Sequence, residues 1–138
     1  MEVLIDSTLL VHAERNRLTP QQLVEGVMTR WGDVELAISV MSAGELFHGC
    51  WRAETPARRA RREEFVEAVL SAIPAVPVTL EIMRVFGEVD ARLSSAGARL
   101  PTSDLIIGCT ALCRDDAVAT ANPRHFERIP GLTVLRFD

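Results

Sequence analysis

The chain has 138 residues, 48% of them hydrophobic and 25% charged, and a formal net charge of −4 at pH 7. That is enough apolar material for one packed domain, and the wrong sign for a protein that coats nucleic acid indiscriminately. All 15 basic residues are arginine, which excludes a phosphate loop built on lysine and Schiff-base chemistry on a side-chain amine. With no Gly-x-Gly-x-x-Gly turn, a standard dinucleotide site is unsupported. The longest apolar stretches, broken by Ser71, Pro74 and Pro77, fall short of the ~20 residues that cross a bilayer. The opening Met1-Glu2-Val3-Leu4-Ile5-Asp6 lacks the basic lead of a signal peptide. A cytoplasmic protein with no membrane association is expected.

In chain order, residues 3–5 form a short apolar run that ends at Asp6 and predicts a strand stopping at a polar edge. Ser7 then caps a helix to about Asn16. Pro20 opens a second helix with Leu23, Val24, Val27, Met28 and Trp31 on its apolar face, ended by Gly32. Residues 36–39 predict a second strand, and Ser42 leads into a helix carrying Leu46, Phe47 and Cys50 in register. A long helix over 56–73 begins basic and ends apolar, and Pro74 and Pro77 frame a short strand through Val76 and Val78. A helix over 80–95 is stopped by Gly97. Residues 100–104 form a loop that caps a helix over 105–113, and Asp115 and Asp116 make a turn. Then come a strand over 117–120, one helical turn over 123–128 and a last strand over 132–135. Strands alternating with helices imply an α/β fold, a three-layer α/β/α sandwich around a central parallel sheet of about five short strands. No linker divides the chain, so one domain over 1–138 is expected.

In such sheets ligands gather at the C-terminal strand edge, near the point where strand order reverses. Asp6 follows the first strand and Asn122 the fourth, Asp104 begins a helix beside them, and Glu45 lies in the helix after the second strand. Taken singly, Asp6 and Asp104 can be helix caps and Glu45 a surface residue. Together, three carboxylates in one cleft raise each other's pKa unless a cation offsets them. With no lysine in the chain, a hard divalent cation with oxygen ligands, Mg2+ or Mn2+, is the natural partner. Such a centre activates water and neutralises charge developing on a phosphodiester.

The residues concerned lie in Val3-Leu4-Ile5-Asp6-Ser7-Thr8, Ser39-Val40-Met41-Ser42-Ala43-Gly44-Glu45-Leu46-Phe47-His48-Gly49, Leu100-Pro101-Thr102-Ser103-Asp104-Leu105-Ile106-Ile107-Gly108 and Val118-Ala119-Thr120-Ala121-Asn122-Pro123-Arg124-His125-Phe126. In that order they resemble the successive motifs of the PIN (PilT N-terminus) domain, over essentially the whole chain, and size and compactness resemble most the VapC-type toxins of bacterial toxin–antitoxin pairs. The resemblance implies a magnesium-dependent endoribonuclease toxin. Asp6, Glu45 and Asp104 would bind the metal, Asn122 would stand at the family's fourth acidic position, and Ser7 and Thr120 would hydrogen-bond a water. It also implies an RNA substrate of the tRNA, rRNA or mRNA class, a homodimer, and a cognate VapB-like antitoxin that wraps the early helices. The products would carry a 5′-phosphate and a 3′-hydroxyl. The Asn122 amide brings no charge, so a second metal is expected to bind more weakly. Where many relatives have an acid before the final Phe, this chain has His125.

Between residues 52 and 62, five arginines (52, 58, 59, 61 and 62) face Glu54 alone. Arg58, Arg59, Arg61 and Arg62 occupy the first turns of a helix, against its macrodipole. They read either as a solvated, partly paired face or as a contact for RNA phosphate or an acidic partner segment. His125, near the cleft, is a further candidate RNA contact. Without strand-edge aromatics for stacking, recognition of folded RNA is expected rather than of long single strands. Cys50, Cys109 and Cys113 read as reduced core thiols. Glu45 and His48 have a di-iron spacing, but one such pair makes no site, and His48 reads as a helix-face residue. A phospho-receiver domain would need a lysine, and a haloacid-type phosphohydrolase an acid where Thr8 stands. A PIN-fold RNA-binding or RNA-processing protein without a toxin role, or a catalytically silent module, is the remaining alternative, and Asn122 keeps it open.

Overall fold

The structure is a computed structural model that describes residues 2–137. Its elements are β1 (Glu2–Ile5), α1 (Ser7–Arg15), α2 (Pro20–Trp31), β2 (Glu35–Ser39), α3 (Val40–Trp51), α4 (Pro56–Ala72), β3 (Ala75–Val76), α5 (Leu80–Ser95), α6 (Thr102–Arg114), β4 (Ala117–Thr120), a 3-10 turn (Phe126–Arg128) and β5 (Val134–Arg136). The five strands form one parallel sheet in the order β3-β2-β1-β4-β5. Val3 pairs with Leu36 on one side and Ala117 on the other. The chain leaves β1 for β2 and β3, then returns to the far side of β1 with β4. The order therefore reverses between β1 and β4, and a crevice opens beyond their C-terminal ends.

Alternation along β1 builds the three layers. Val3 and Ile5 join a core with Leu9, Leu10, Val27, Val66 and Val69 from the helices on one face. Leu4, between them, points into a second core with Ile82, Leu105, Ile107, Val118 and Phe126 on the other. All three β1 residues are fully buried, which explains why a strand covered on both faces reads as an unbroken apolar run.

Local chemistry sets the helix starts. The Thr19 hydroxyl accepts from the Gln22 N–H while the Gln22 amide oxygen accepts from the Thr19 N–H, a reciprocal cap in front of Pro20. Thr55 and Thr79 cap α4 and α5 in the simpler way. Five boundaries differ from the expected ones. Asp6, not Ser7, holds the N-cap position of α1. The last residue of β2, Ser39, is itself the cap of α3, its hydroxyl accepting from the Met41 N–H at 3.0 Å, so helix follows strand with no loop. The Pro101 carbonyl already accepts from the Leu105 N–H, so α6 starts at Thr102 and Asp104 lies in its first turn. β3 stops at Val76, short of Val78, and β5 lies two residues beyond its expected start.

Gly108 marks a close approach between α6 and the segment after β4. A Cβ there would stand 2.3 Å from the Cδ1 end of Ile129, so any larger residue would require that side chain to shift. One turn of the same helix carries Cys109, fully buried, and Cys113, half-buried. Burial, reinforced by Cys113 and Asp90, pushes the Cys109 thiol up to about 11, leaving on the order of a hundredfold less thiolate at pH 8 than an unperturbed cysteine has. Native protein treated with iodoacetamide at pH 8 is expected to take label at Cys109 only after denaturation, as peptide mass mapping would show. Among the described residues no helix is long and apolar enough to cross a membrane.

Candidate active site

Asp6 is 2% exposed at the end of β1, where its N–H still donates to the Ala119 carbonyl of β4. It occupies a cap position, yet its carboxylate makes no capping hydrogen bond. Instead the Thr8 hydroxyl donates to Oδ2 at 2.7 Å and the Thr120 hydroxyl to the same oxygen at 2.8 Å. Those hydroxyl oxygens accept in turn from the N–H groups of Ala121 and Asn122. Each hydroxyl has one proton, so both are committed to Asp6 and the 3.1 Å Thr8–Thr120 contact is proximity enforced by a shared acceptor. Oδ2 is thus fixed from two sides, and Oδ1 is the oxygen left to face the cleft.

Across from Oδ1 stands Glu45 of α3. The Ser7 hydroxyl lies 3.5 Å from Asp6 Oδ1 and 3.3 Å from Glu45 Oε1 and spans the two carboxylates. Asp104 completes the acidic edge from α6, its Oδ2 2.6 Å from His125 Nδ1. With a carboxylate as acceptor, Nδ1 is the ring nitrogen that carries hydrogen. Burial drives the Asp6 carboxyl above its ordinary value against the two threonine hydroxyls, and the Asp104 charge adds to the rise. Glu45 is also raised, first by loss of solvent, then by the charge of Asp6 and, more weakly, that of Asp104. The charge of Asp104 thus disfavours ionisation of both Asp6 and Glu45, and that of Asp6 disfavours ionisation of Glu45, a negative field of the kind found at functional sites.

Hard carboxylate oxygens in such a field suit a small divalent cation. The pair Asp6 Oδ1 and Glu45 Oε1 fits it, because both already sit around one hydroxyl proton. Among the described residues no three His, Cys, Asp or Glu side chains converge closely enough to form a ligand group. Asp104, engaged with His125, adds charge to the pair from a distance.

Of the remaining residues singled out from the sequence, Thr120 is fully buried against Asp6. Asn122 follows β4 as expected, but it is exposed and its backbone N–H makes the contact to Thr120. Arg59 pairs with Glu63 and lies over the Trp51 ring. Arg58 pairs with Glu54. Arg62 donates to the Gly49 carbonyl at 2.7 Å and stands 3.9 Å from Glu14. Among the described residues Arg61 has no side-chain partner. Two contacts escaped the sequence reading. Thr8 is as close to Asp6 as Thr120 is, and its signal was the hydroxyl two residues after an acid at a helix entrance. His125 touches Asp104 across 21 residues, for which no local pattern exists.

A groove of about 650 Å³ runs from this edge between α1 and α3, past Val11 and Met41 to Glu14 and Arg62. Known proteins match the sequence and the fold over nearly the full length. The family model for the PIN domain matches residues 3–132. Ribonuclease VapC10 of Mycobacterium tuberculosis is 32% identical over 124 residues, covering 90% of this chain and 85% of the relative. The structure of VapBC2 from Rickettsia felis, bound to a DNA fragment from their promoter, superposes with a TM-score of 0.87 over 100% of both chains at 20% identity. VapBC-5 from Mycobacterium tuberculosis, a member of the VapBC family of toxin–antitoxin systems, superposes with a TM-score of 0.75 over 99% of this chain and 98% of that one, at 19% identity.

Proposed function

The chain belongs to the PIN domain family and is VapC-like, and from that premise we propose that it is a magnesium- or manganese-dependent endoribonuclease acting as the toxin of a toxin–antitoxin pair. The observation that carries the reading is the meeting of Asp6 Oδ1 and Glu45 Oε1 across the Ser7 hydroxyl at the reversal point of the sheet. Asp6 and Glu45 hold the cation, and Asp104 completes the negative field. When bound, the ion supplies charge neutralisation at the scissile phosphate and a more acidic water. Thr8 and Thr120 lock Asp6 so that one oxygen always faces the cleft, which is preorganisation by side chains that never touch RNA. Ser7 orients the facing oxygens. His125 fixes the Asp104 side chain and is its positioning residue. Water adds across the P–O3′ bond, giving a 5′-phosphate and a 3′-hydroxyl. Asn122 contributes no charge, so a second cation would bind more weakly.

A VapB-like antitoxin is the proposed inhibitor. It lies over the groove between α1 and α3, whose walls include Val11, Met41 and the exposed Val40, and so closes the acidic edge. The protein acts as a homodimer in the cytoplasm.

Calorimetry of the wild-type protein tests the metal site without any substrate. Mg2+ or Mn2+ at tenfold over its dissociation constant is expected to add about 1.4 kcal/mol of stability, visible as a rise in thermal midpoint that Asp6→Asn and Glu45→Gln both abolish. EDTA is expected to end cleavage of total RNA. An unchanged midpoint with either ion, or equal cleavage by wild type and Glu45→Gln, would overturn the assignment.

A further inference from the structure

A second groove, of about 690 Å³, opens beside the first and shares Glu14 and Arg62 with it. Its walls carry four guanidinium groups, Arg58, Arg61 and Arg62 from α4 and Arg17 from the turn after α1, over a floor of Leu18 and Phe65. Glu14, at 3.9 Å from Arg62, is the one carboxylate among its lining residues. Arg61 and Arg17 have no side-chain partner among the described residues, so two full positive charges face the groove in a chain of net charge −4.

Arg17 adds a second, independent observation. Its φ is +53°, a left-handed conformation that follows α1 where glycine is the usual residue. The turn is closed by the Arg17 N–H to the Glu14 carbonyl and the Leu18 N–H to the Ala13 carbonyl, bonds that a glycine would make equally well. An arginine kept at a conformational cost, with its side chain on a basic groove, points to a use for the guanidinium.

We propose that this groove holds the phosphate backbone of the RNA substrate where it leads away from the cleaved bond. The proposal rests on the nuclease reading for the identity of the ligand. Arg58, Arg61 and Arg62 are spaced i, i+3, i+4 and lie as neighbours on one helix face, a row of forked donors suited to successive phosphates. The groove joins the acidic edge along α1, whose nine residues from Ser7 to Arg15 cover about 12 Å. The lining offers no ring positioned as a base-stacking platform beyond Phe65 on the floor, so the groove binds backbone and leaves base reading to the cleft.

The test uses the full chain carrying Glu45→Gln, so that RNA is not consumed, and a short fluorescein-labelled RNA hairpin read by anisotropy over a salt series. Arg58→Ala with Arg61→Ala is expected to weaken binding about tenfold or more at low salt and to reduce the slope of log K against log salt by about 0.7 to 0.9 for each arginine removed. Arg17→Gly is the discriminating variant, expected to weaken binding several-fold with a thermal midpoint equal to or above that of its parent, which a structural role for Arg17 would not produce. In the active chain the same substitutions are expected to raise KM and leave kcat in place. Unchanged affinity and slope in both variants would overturn the proposal, as would a loss confined to binding of a poly-glutamate peptide. Failure of the nuclease reading is separable, since a wild-type chain that cuts no RNA while its arginine variants still lose hairpin affinity would leave the phosphate groove standing.

Discussion

Asp6→Asn and Glu45→Gln are each expected to lower metal-dependent RNA cleavage by at least about 100-fold, and Asp6→Asn to raise the thermal midpoint of the metal-free protein at pH 7 by a few degrees. The two effects have one cause. The Asp6 carboxyl is 2% exposed and held above its ordinary value of 3.8 by burial, with the Asp104 charge adding to it. A raised acid favours folding only while it is protonated. Its contribution is present below the unfolded value and lost as pH rises through the folded one, so at neutral pH the ionised form works against the fold. An amide removes that charge and keeps an oxygen with two lone pairs for the two threonine hydroxyls. The gain over wild type should therefore shrink as pH falls toward 4, and scanning calorimetry across that range measures it. Glu45 faces solvent more openly, so its amide variant is expected to gain less. Saturating Mg2+ reverses the ranking, because only the wild-type chain binds it and is stabilised by it. A stability loss for Asp6→Asn at pH 7 would mean that Asp6 is structural, and retained cleavage would mean that it is not in the site.

Phe126→Ala is the core substitution with the largest expected effect, about 3–4 kcal/mol of destabilisation and a fall in thermal midpoint of roughly 10–15 °C. Phe126 is 1% exposed in a three-residue turn, and its ring is the largest apolar group that this segment buries. It packs in the same core as Leu4, Ile107, Val118 and Ile129. It also follows His125, so truncation releases the residue that holds Asp104. Activity at 25 °C should fall even where the protein is still folded, while Phe126→Leu should keep most of both. Chemical denaturation with a midpoint within experimental error of wild type would show that the turn is not anchored by this ring.

Much of the fold was legible because its signals are local. Thr19 and Pro20 announce α2, Thr79 and Gly97 bracket α5, and the apolar run from Ala117 to Thr120 ends where its hydrogen-bond partners end. The errors fell where two local readings compete. Ser39 closes a strand and caps a helix at once, and residues such as Thr102, Ser103 and Asp104 favour both caps and turns. Their context, a proline carbonyl already accepting from Leu105, decided for helix. The site divides in the same way. That Asp6, Glu45 and Asp104 share an edge follows from parallel strands with helical crossovers, and the comparisons with PIN domain proteins agree with that topology.

The sequence by itself determined the layer order, the strand ends that carry acids, the absence of any lysine to balance them, and the family. Alternation of apolar residues, capping hydroxyls and charge inventory act over a few neighbours, so they can be read along the chain. The tertiary structure alone decided which oxygen of Asp6 is free, because Thr120 reaches it across 114 residues. It likewise decided that Asp104 is turned to His125, and that Arg17 joins the arginines of α4 around one groove. Those facts depend on side-chain directions and on hydrogen bonds between distant segments, which packing fixes only once the sheet has closed.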